Sequence, residues 1–344
     1  MTELTAMEIA SNCSARPHAG RALRVVIPGG GGHLGRILTR ALAGVGHSVI
    51  ILTRRPMPGT STAVSWDGRS LGSWTAALEN SDVLINLAGR SVDCRYNARN
   101  RREILRSRVD STEILGKAIE RLDTPPRVWL NSSTATIYRH SLDRDMDEAS
   151  GELGGDERGV PSSWRFSIEV ARRWEEAFFL AVTPGTRKVA MRTAMVMASE
   201  PGGAFEAMSR LVRVGLGGPW ASGNQFMSWI HEADFVRAVE FLAAREQIQG
   251  IVDIAAPNPL TNRAFLSELR SAWGIGLGLP AYKWMLEVGA FLLRTETELL
   301  LKSRRVVPGA LKKHGFEFLF PTWFEAARDL VEKAGAHRRK ANER

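Results

Sequence analysis

The sequence predicts an α/β protein built on a doubly wound parallel sheet, and three observations carry that expectation. Strand and helix patterns alternate through residues 23–200. A β-branched run, Val25-Val26-Ile27, leads into four glycines and then a helix-like stretch opening at His33, Leu34 and Gly35. A second β-like run, Ser48–Thr53, ends in Arg54-Arg55.

The first unit reads RVVIPGGGGHLGR over residues 24–36. Gly30, Gly32 and Gly35 match GxGxxG, and Gly29, Gly32 and Gly35 match GxxGxxG. In either register one glycine makes a tight turn, one lets the backbone approach a pyrophosphate, and one lets helix pack on strand. The pyrophosphate then meets free N–H groups and a favourable dipole at the helix N-terminus. The bland alternative is a glycine-rich turn with no ligand. The strand before and the helix after supply the context of a Rossmann dinucleotide unit. A NAD-binding unit usually carries an acidic residue about 20 positions past the glycines, for the ribose 2′-hydroxyl. Here Arg54 stands 19 positions after Gly35. A guanidinium suits a 2′-phosphate, so the sequence favours NADP(H) over NAD(H). Two solvated arginines at a strand end are the alternative.

Further elements follow in order. Val64-Ser65-Trp66 is a short third strand, ending in Asp67-Gly68. Asp82–Leu87 is a fourth, running into Ala88-Gly89. A helix over Asn97–Arg121 places Ile104, Val109, Ile114, Leu115 and Ile119 in the core. Arg127–Asn131 is the fifth strand, followed by Ser132 to Tyr138. Residues 141–163 form a long polar stretch suited to a lid or substrate loop. A helix covers Trp164–Leu180 and a sixth strand Arg187–Val196. Two more strand–helix units occupy 203–260, including Phe226–Ile230 and a helix from His231. The last stretch, punctuated by Pro280, Pro308 and Pro321, reads as a small, mainly helical subdomain. Trp284, Met285, Val288, Phe291, Phe316, Phe318 and Phe320 are its candidate core. The expected organisation is a disordered tail over 1–22, a Rossmann domain over 23–275, a C-terminal subdomain over 276–335 and a basic tail over 336–344.

Composition bounds the function. Hydrophobic residues are 44% and charged residues 24%, a globular balance. No apolar run approaches the ~18 residues of a spanning helix, and no membrane role is expected. Residues 1–21 lack the apolar core of an export signal. Two cysteines, Cys13 and Cys94, are too few for a disulfide framework. A reducing cytoplasm is the expected setting. Net charge is +9, with 38 arginines and eight lysines. The arginines are scattered among acids, so a solvated basic surface is expected and nucleic-acid binding is not. No Cys/His cluster has metal-ligand spacing. Gly68-Arg69-Ser70-Leu71-Gly72 matches GxSxG, but its three-residue strand cannot support a nucleophile elbow.

The glycine loop, Asn86-Leu87-Ala88-Gly89, Ser132–Tyr138 and Ser228–Asp234 follow in the order seen in extended short-chain dehydrogenases/reductases, and the chain resembles that group. SRVDST (107–112), Trp174-Glu175, APNPLTN (256–262), LPAYKWMLEVGA (279–290) and TETELLLKSRRVVP (295–308) narrow the resemblance to its atypical epimerase-family branch. That branch ends in a small domain of unknown function. The match covers roughly residues 22–335. The resemblance implies that Gly29, Gly32 and Gly35 bind the pyrophosphate and Arg54 the 2′-phosphate. It sets Asp67 near the adenine, Ala88-Gly89 against the cofactor, and Thr134 at the catalytic Ser/Thr position. Pro28 replaces the Thr that usually opens the motif.

The resemblance also brings a departure. The superfamily uses Tyr-x-x-x-Lys, and this chain has none. Counting back from Glu175, the expected positions hold Ser167 and Ala171. Thr134 and Tyr138 are therefore the candidate catalytic residues, with Tyr138 near the mouth where a nicotinamide would lie. Tyr138 as a hydrogen-bonded core aromatic is the competing reading. Glu169 reads as a surface residue, and His231 with Asp234 as a capping and packing pair. Two function classes remain: an NADP(H)-dependent oxidoreductase or epimerase acting on an unidentified small molecule, and a non-catalytic nucleotide-binding protein. A second copy of the chain or another protein is the partner either class could take.

Overall fold

Alternation of large apolar residues sets the central sheet. In β1 (Arg24–Pro28), Val25 and Ile27 enter one core and Val26 the opposite one, all three buried. A strand buried on both faces belongs in the middle of a parallel sheet. The computed structural model describes residues 21–55, 62–281 and 298–342. The expected tail lies, up to residue 20, outside the described residues, as do Trp284, Met285, Val288 and Phe291.

After β1 the chain runs through α1 (His33–Gly44) to β2 (Ser48–Thr53) and β3 (Ala63–Ser65). It then returns to the other side of β1 with β4 (Val83–Asn86). α2 (Ala98–Ile119), β5 (Val128–Thr134), α3 (Ser162–Leu180) and β6 (Arg187–Thr193) follow. The seven-stranded sheet is ordered β3-β2-β1-β4-β5-β6 and then a final strand, Gly250–Ile254, with every pairing parallel. The order reverses between β1 and β4, and such a switch point opens a crevice beyond the carboxyl ends of the strands. On one face Leu38 and Leu42 of α1 pack on Val25, Ile27 and Ile51. On the other, Leu115 and Ile119 of α2 meet Trp129 and Phe178, whose rings lie edge to face at 4.7 Å.

The sixth strand is shorter than its apolar run suggests. Ala194 donates to the Ile254 carbonyl at 3.0 Å, and the chain leaves the sheet there. β7 (Met195–Met197) then finds a second partner. Past α4 (Ala204–Arg213) and β8 (Phe226–Met227), that partner is β9 (Trp229–His231), with Met195 opposite Trp229. His231 caps α5 (Glu232–Ala244) rather than opening it. The sheet's last strand, Gly250–Ile254, is β10; β11 (Leu260–Thr261) and α6 (Asn262–Ala272) come next.

The C-terminal elements are α7 (Glu298–Leu301), α8 (Gly309–Lys313) and α9 (Trp323–Asn342). They share cores with the sheet domain. Leu311 and Phe316 join the α1 and α5 face. Trp323 stacks on Phe265 of α6 at 3.9 Å and meets Trp229 edge-on at 5.0 Å. Phe318 and Phe320 are half-buried. The basic run expected as a tail from residue 336 continues α9 to Asn342, where Arg, Lys and Ala favour helix. The polar stretch 141–163 is clasped to the C-terminal segment rather than standing free as a lid. Met146 is fully buried and bridges Val306, donating to the Arg305 carbonyl at 2.7 Å. Arg139 pairs with both Asp143 and Glu152 in the same stretch.

Candidate functional site

The glycine loop divides its labour residue by residue. Gly29 has φ +81°, and a Cβ there would lie 2.7 Å from the Leu87 carbonyl. Gly35 is wedged against Gly30, where a Cβ would come 2.5 Å from its Cα. Gly32 differs. Among the described residues its one near neighbour would be the Gly29 oxygen at 3.3 Å, so its missing side chain leaves open space outside the loop. Gly29 thus makes the turn, Gly35 the close packing, and Gly32 leaves the loop an open face. Pro28 has no N–H to give β4, while its carbonyl accepts from the Leu87 N–H at 2.9 Å and the Gly29 N–H donates to the Leu52 carbonyl at 3.0 Å.

Gly32 is also the N-cap of α1, with no side-chain cap and no acidic residue in the first turn. His33 and Leu34 are the first helical residues, whose N–H groups have no partner within the helix. That end carries uncompensated positive potential and suits an anion. The His33 ring packs against Gly203, and burial holds its pKa below the ordinary value. Arg36, overlooked in the sequence, is exposed one turn further on and donates to the Gly31 carbonyl at 3.2 Å.

Arg54 and Arg55 are exposed just past β2. Across the adjoining strand end, Asp67 accepts from the Arg69 and Ser70 N–H groups at 2.8 and 2.9 Å. Ser70 hydrogen bonds hold its carboxyl down at about 2. On the β4 side, Ala88 is buried and donates to Asn86 Oδ1 at 3.0 Å. Asn86 in turn donates to Asn131, its register partner on β5, at 2.7 Å. A Cβ on Gly89 would meet the Arg108 guanidinium at 3.2 Å. Burial pushes that guanidinium down to about 10.

Thr134 ends β5, half-buried, and its hydroxyl accepts from the Thr136 N–H at 3.2 Å. Tyr138 is not at the mouth of the crevice. It is 2% exposed, and its hydroxyl donates to Asp253 Oδ2 at 2.8 Å and accepts from Arg192 at 3.0 Å. Burial and the Asp253 carboxyl push its pKa well up. With its hydroxyl both donating to Asp253 and accepting from Arg192 inside a buried cluster, Tyr138 takes the core reading. The same buried chain continues from Arg192 to Glu175 and on to Ser133, whose hydroxyl donates to Glu175 at 2.6 Å. An arginine inside the apolar strand VAMRT was the signal for this cluster. Glu169 pairs with Arg173 on the surface. His231 accepts from the Ala233 N–H and contacts Asp329 at 3.0 Å, while Asp234 accepts from Leu319 and Phe320. Both cap and pack.

A second polar cluster went unseen in the sequence. Ser167 on α3 donates to Glu298. One turn on, Lys302 is 2% exposed and donates from Nζ to the Thr136 carbonyl at 2.6 Å. Burial pushes its ammonium down to about 7. Ala171 is fully buried and offers no polar group. Among the described residues no group of three or more His, Cys, Asp or Glu could hold a metal, and no helix is long and apolar enough to cross a membrane.

Sheet order, switch point and glycine cradle define an extended Rossmann protein of the epimerase type. The chain belongs to the NAD dependent epimerase/dehydratase family, whose model matches residues 25–255. Residues 283–330 match a domain of unknown function, DUF1731. The chain is 33% identical over 318 residues to mouse epimerase family protein SDR39U1, covering 90% of this chain and all of that one. It is 32% identical to a Mycobacterium bovis epimerase family protein, over 88% and 95% of the two chains. Human SDR39U1 crystallised with NADPH superposes with a TM-score of 0.78 at 30% identity, over 90% of this chain and 99% of that one.

Proposed function

We propose that this protein is an NADP(H)-dependent oxidoreductase or epimerase-like enzyme acting on an unidentified small molecule. The observation that carries the reading is the open side of Gly32 at an uncapped helix N-terminus, with Arg54 and Arg55 at the end of the neighbouring strand. The NADPH bound by human SDR39U1 supports the same cofactor here. Gly29, Gly32, Gly35 and the N–H groups of His33 and Leu34 would hold the pyrophosphate. Arg54 and Arg55 would hold the 2′-phosphate, with Asp67 beside the adenosine and Ala88-Gly89 along the middle. The cofactor would supply or accept a hydride. Thr134 would hydrogen-bond a substrate oxygen at the end of β5.

The enclosure of Tyr138 favours a second reading, a non-catalytic NADP(H)-binding regulatory or scaffold protein. A fluorescence titration with NADPH and NADH, followed by a substrate screen on NADPH absorbance, separates the two. Turnover that falls in Thr134→Val supports the enzyme. Tight NADPH binding with no turnover across substrate classes supports the scaffold.

A further inference from the structure

The crevice has a direction. Arg54 and Arg55 mark the β2 side of the switch point, so the other half of a bound dinucleotide must extend over β4 and β5. There it would meet Thr134 and Thr136, both half-buried. The wall behind them comes from the C-terminal segment. Lys302 reaches the Thr136 carbonyl, and Glu298, one helical turn earlier, takes the Ser167 hydroxyl of α3. Arg304 donates to Thr136 Oγ1 at 3.2 Å from the same segment.

We propose that Glu298 and Lys302 form the acid–base pair of this site, with Lys302 the catalytic residue that exchanges a proton with a substrate carbonyl or secondary alcohol. The inference rests on the NADP(H) reading above. In the reducing direction an Nζ–H bond breaks and an O–H bond forms on the substrate. A hydride from a dihydronicotinamide would supply the two electrons and form the new C–H bond at the carbonyl carbon, and the neutral amine regains its proton from solvent. The Glu298 carboxylate, one helical turn away, favours the ammonium form by its charge. Thr136, which takes one of its three donors, leaves the others for a substrate oxygen. Burial lowers the proton affinity of Lys302 into the range where such exchange is effective at neutral pH. A merely structural lysine would only tether the segment to Thr136.

Among the described residues, the charged and titratable groups acting on Lys302 are Glu298 and Arg304 from its own segment, Glu157 from the polar stretch, and His140. His140 accepts from the Ser303 N–H, and burial and Lys302 hold its pKa below the ordinary value.

The test needs no substrate. NADP+ carries a positive nicotinamide ring and NADPH a neutral one. An ammonium beside that ring repels only NADP+. The ratio of the two dissociation constants, NADP+ over NADPH, should fall about tenfold from pH 6 to pH 8 in the wild type, as expected for unit charges within ~10 Å at an effective dielectric of about 20. Phosphate titrations common to both ligands cancel in the ratio. Lys302→Met should flatten the ratio at its high-pH value. Lys302→Arg, which keeps the charge and the tether, should flatten it at its low-pH value. A flat ratio in the wild type, or an unchanged slope in Lys302→Met, overturns the pair while leaving cofactor binding intact. Failure of both nucleotides to bind at any pH overturns the NADP(H) reading and the inference with it.

Discussion

Arg192 meets Glu175 as a two-pronged ion pair, Nε on one carboxylate oxygen at 2.8 Å and Nη2 on the other at 2.7 Å, with both side chains almost fully enclosed. The pair ties β6 to α3 and also holds Tyr138 and Ser133. Removing one partner strands the other charge. Glu175→Ala should therefore cost about 3–5 kcal/mol. Urea unfolding should show a lower midpoint at unchanged slope. A loss under about 1 kcal/mol would mean that water reaches the guanidinium.

How far the sequence foretold this molecule depends on the range of the interactions. The sheet was legible because buried strands need apolar alternation and the loop needs glycine, both local demands. Gly29, Gly32 and Gly35 occupy three distinct settings, a positive-φ turn, an open face and a packed helix start. Which of its two readings Tyr138 takes is set by Asp253 and Arg192, 115 and 54 residues away, beyond the reach of local pattern. Lys302 was missed for the same reason. In sequence it is one cation in a helical stretch, and only the fold carries it to Thr136, 166 residues earlier.

The glycines make a paired prediction. Gly35→Ala drives a Cβ into the Gly30 backbone and should destabilise the fold by about 1–3 kcal/mol. Among the described residues a Cβ at Gly32 would meet one atom, the Gly29 oxygen, so Gly32→Val should cost within about 1 kcal/mol. Yet it should abolish NADPH binding, because the branch fills the approach to the pyrophosphate. Circular dichroism and nucleotide titration on both variants check this. Normal NADPH binding by folded Gly32→Val would move the cofactor site elsewhere.

Arg54 and Arg55 predict tighter binding of NADPH than of NADH. Arg54→Asp should reverse or abolish the preference, through loss of a charge-assisted contact worth roughly 1.5–3 kcal/mol. The preference should also shrink with added salt, since both arginines are exposed. Equal affinities in the wild type would refute the assignment.

The C-terminal elements should not be separable. Trp323 is 1% exposed, stacked on Phe265 and donating to its carbonyl at 2.9 Å. Trp323→Ala should cost about 3–5 kcal/mol. Truncation at Gly278 should give an aggregating protein, because Phe265, Trp229 and the face under Leu311 and Phe316 would lose their cover. A soluble fragment with a cooperative thermal transition would show instead that the sheet domain completes its own core.

Lys302 makes a prediction about stability that holds whether or not the protein is an enzyme. Burial pushes its ammonium down to about 7 in the folded chain, against 10.5 for a free lysine. Between those values the unfolded chain binds more protons than the folded one, so stability rises with pH across that window. The penalty is fully present below about 7 and gone above the unfolded value. One proton sets the ceiling on the slope, about 1.4 kcal/mol per pH unit. Lys302→Met carries no such proton. Its stability should exceed that of the wild type most at pH 7, and the difference should shrink steadily toward pH 10. Urea midpoints for the two proteins at half-unit steps of pH measure it. Parallel curves would mean that Lys302 stays solvated in the folded chain, and that the Thr136 carbonyl does not hold it in place.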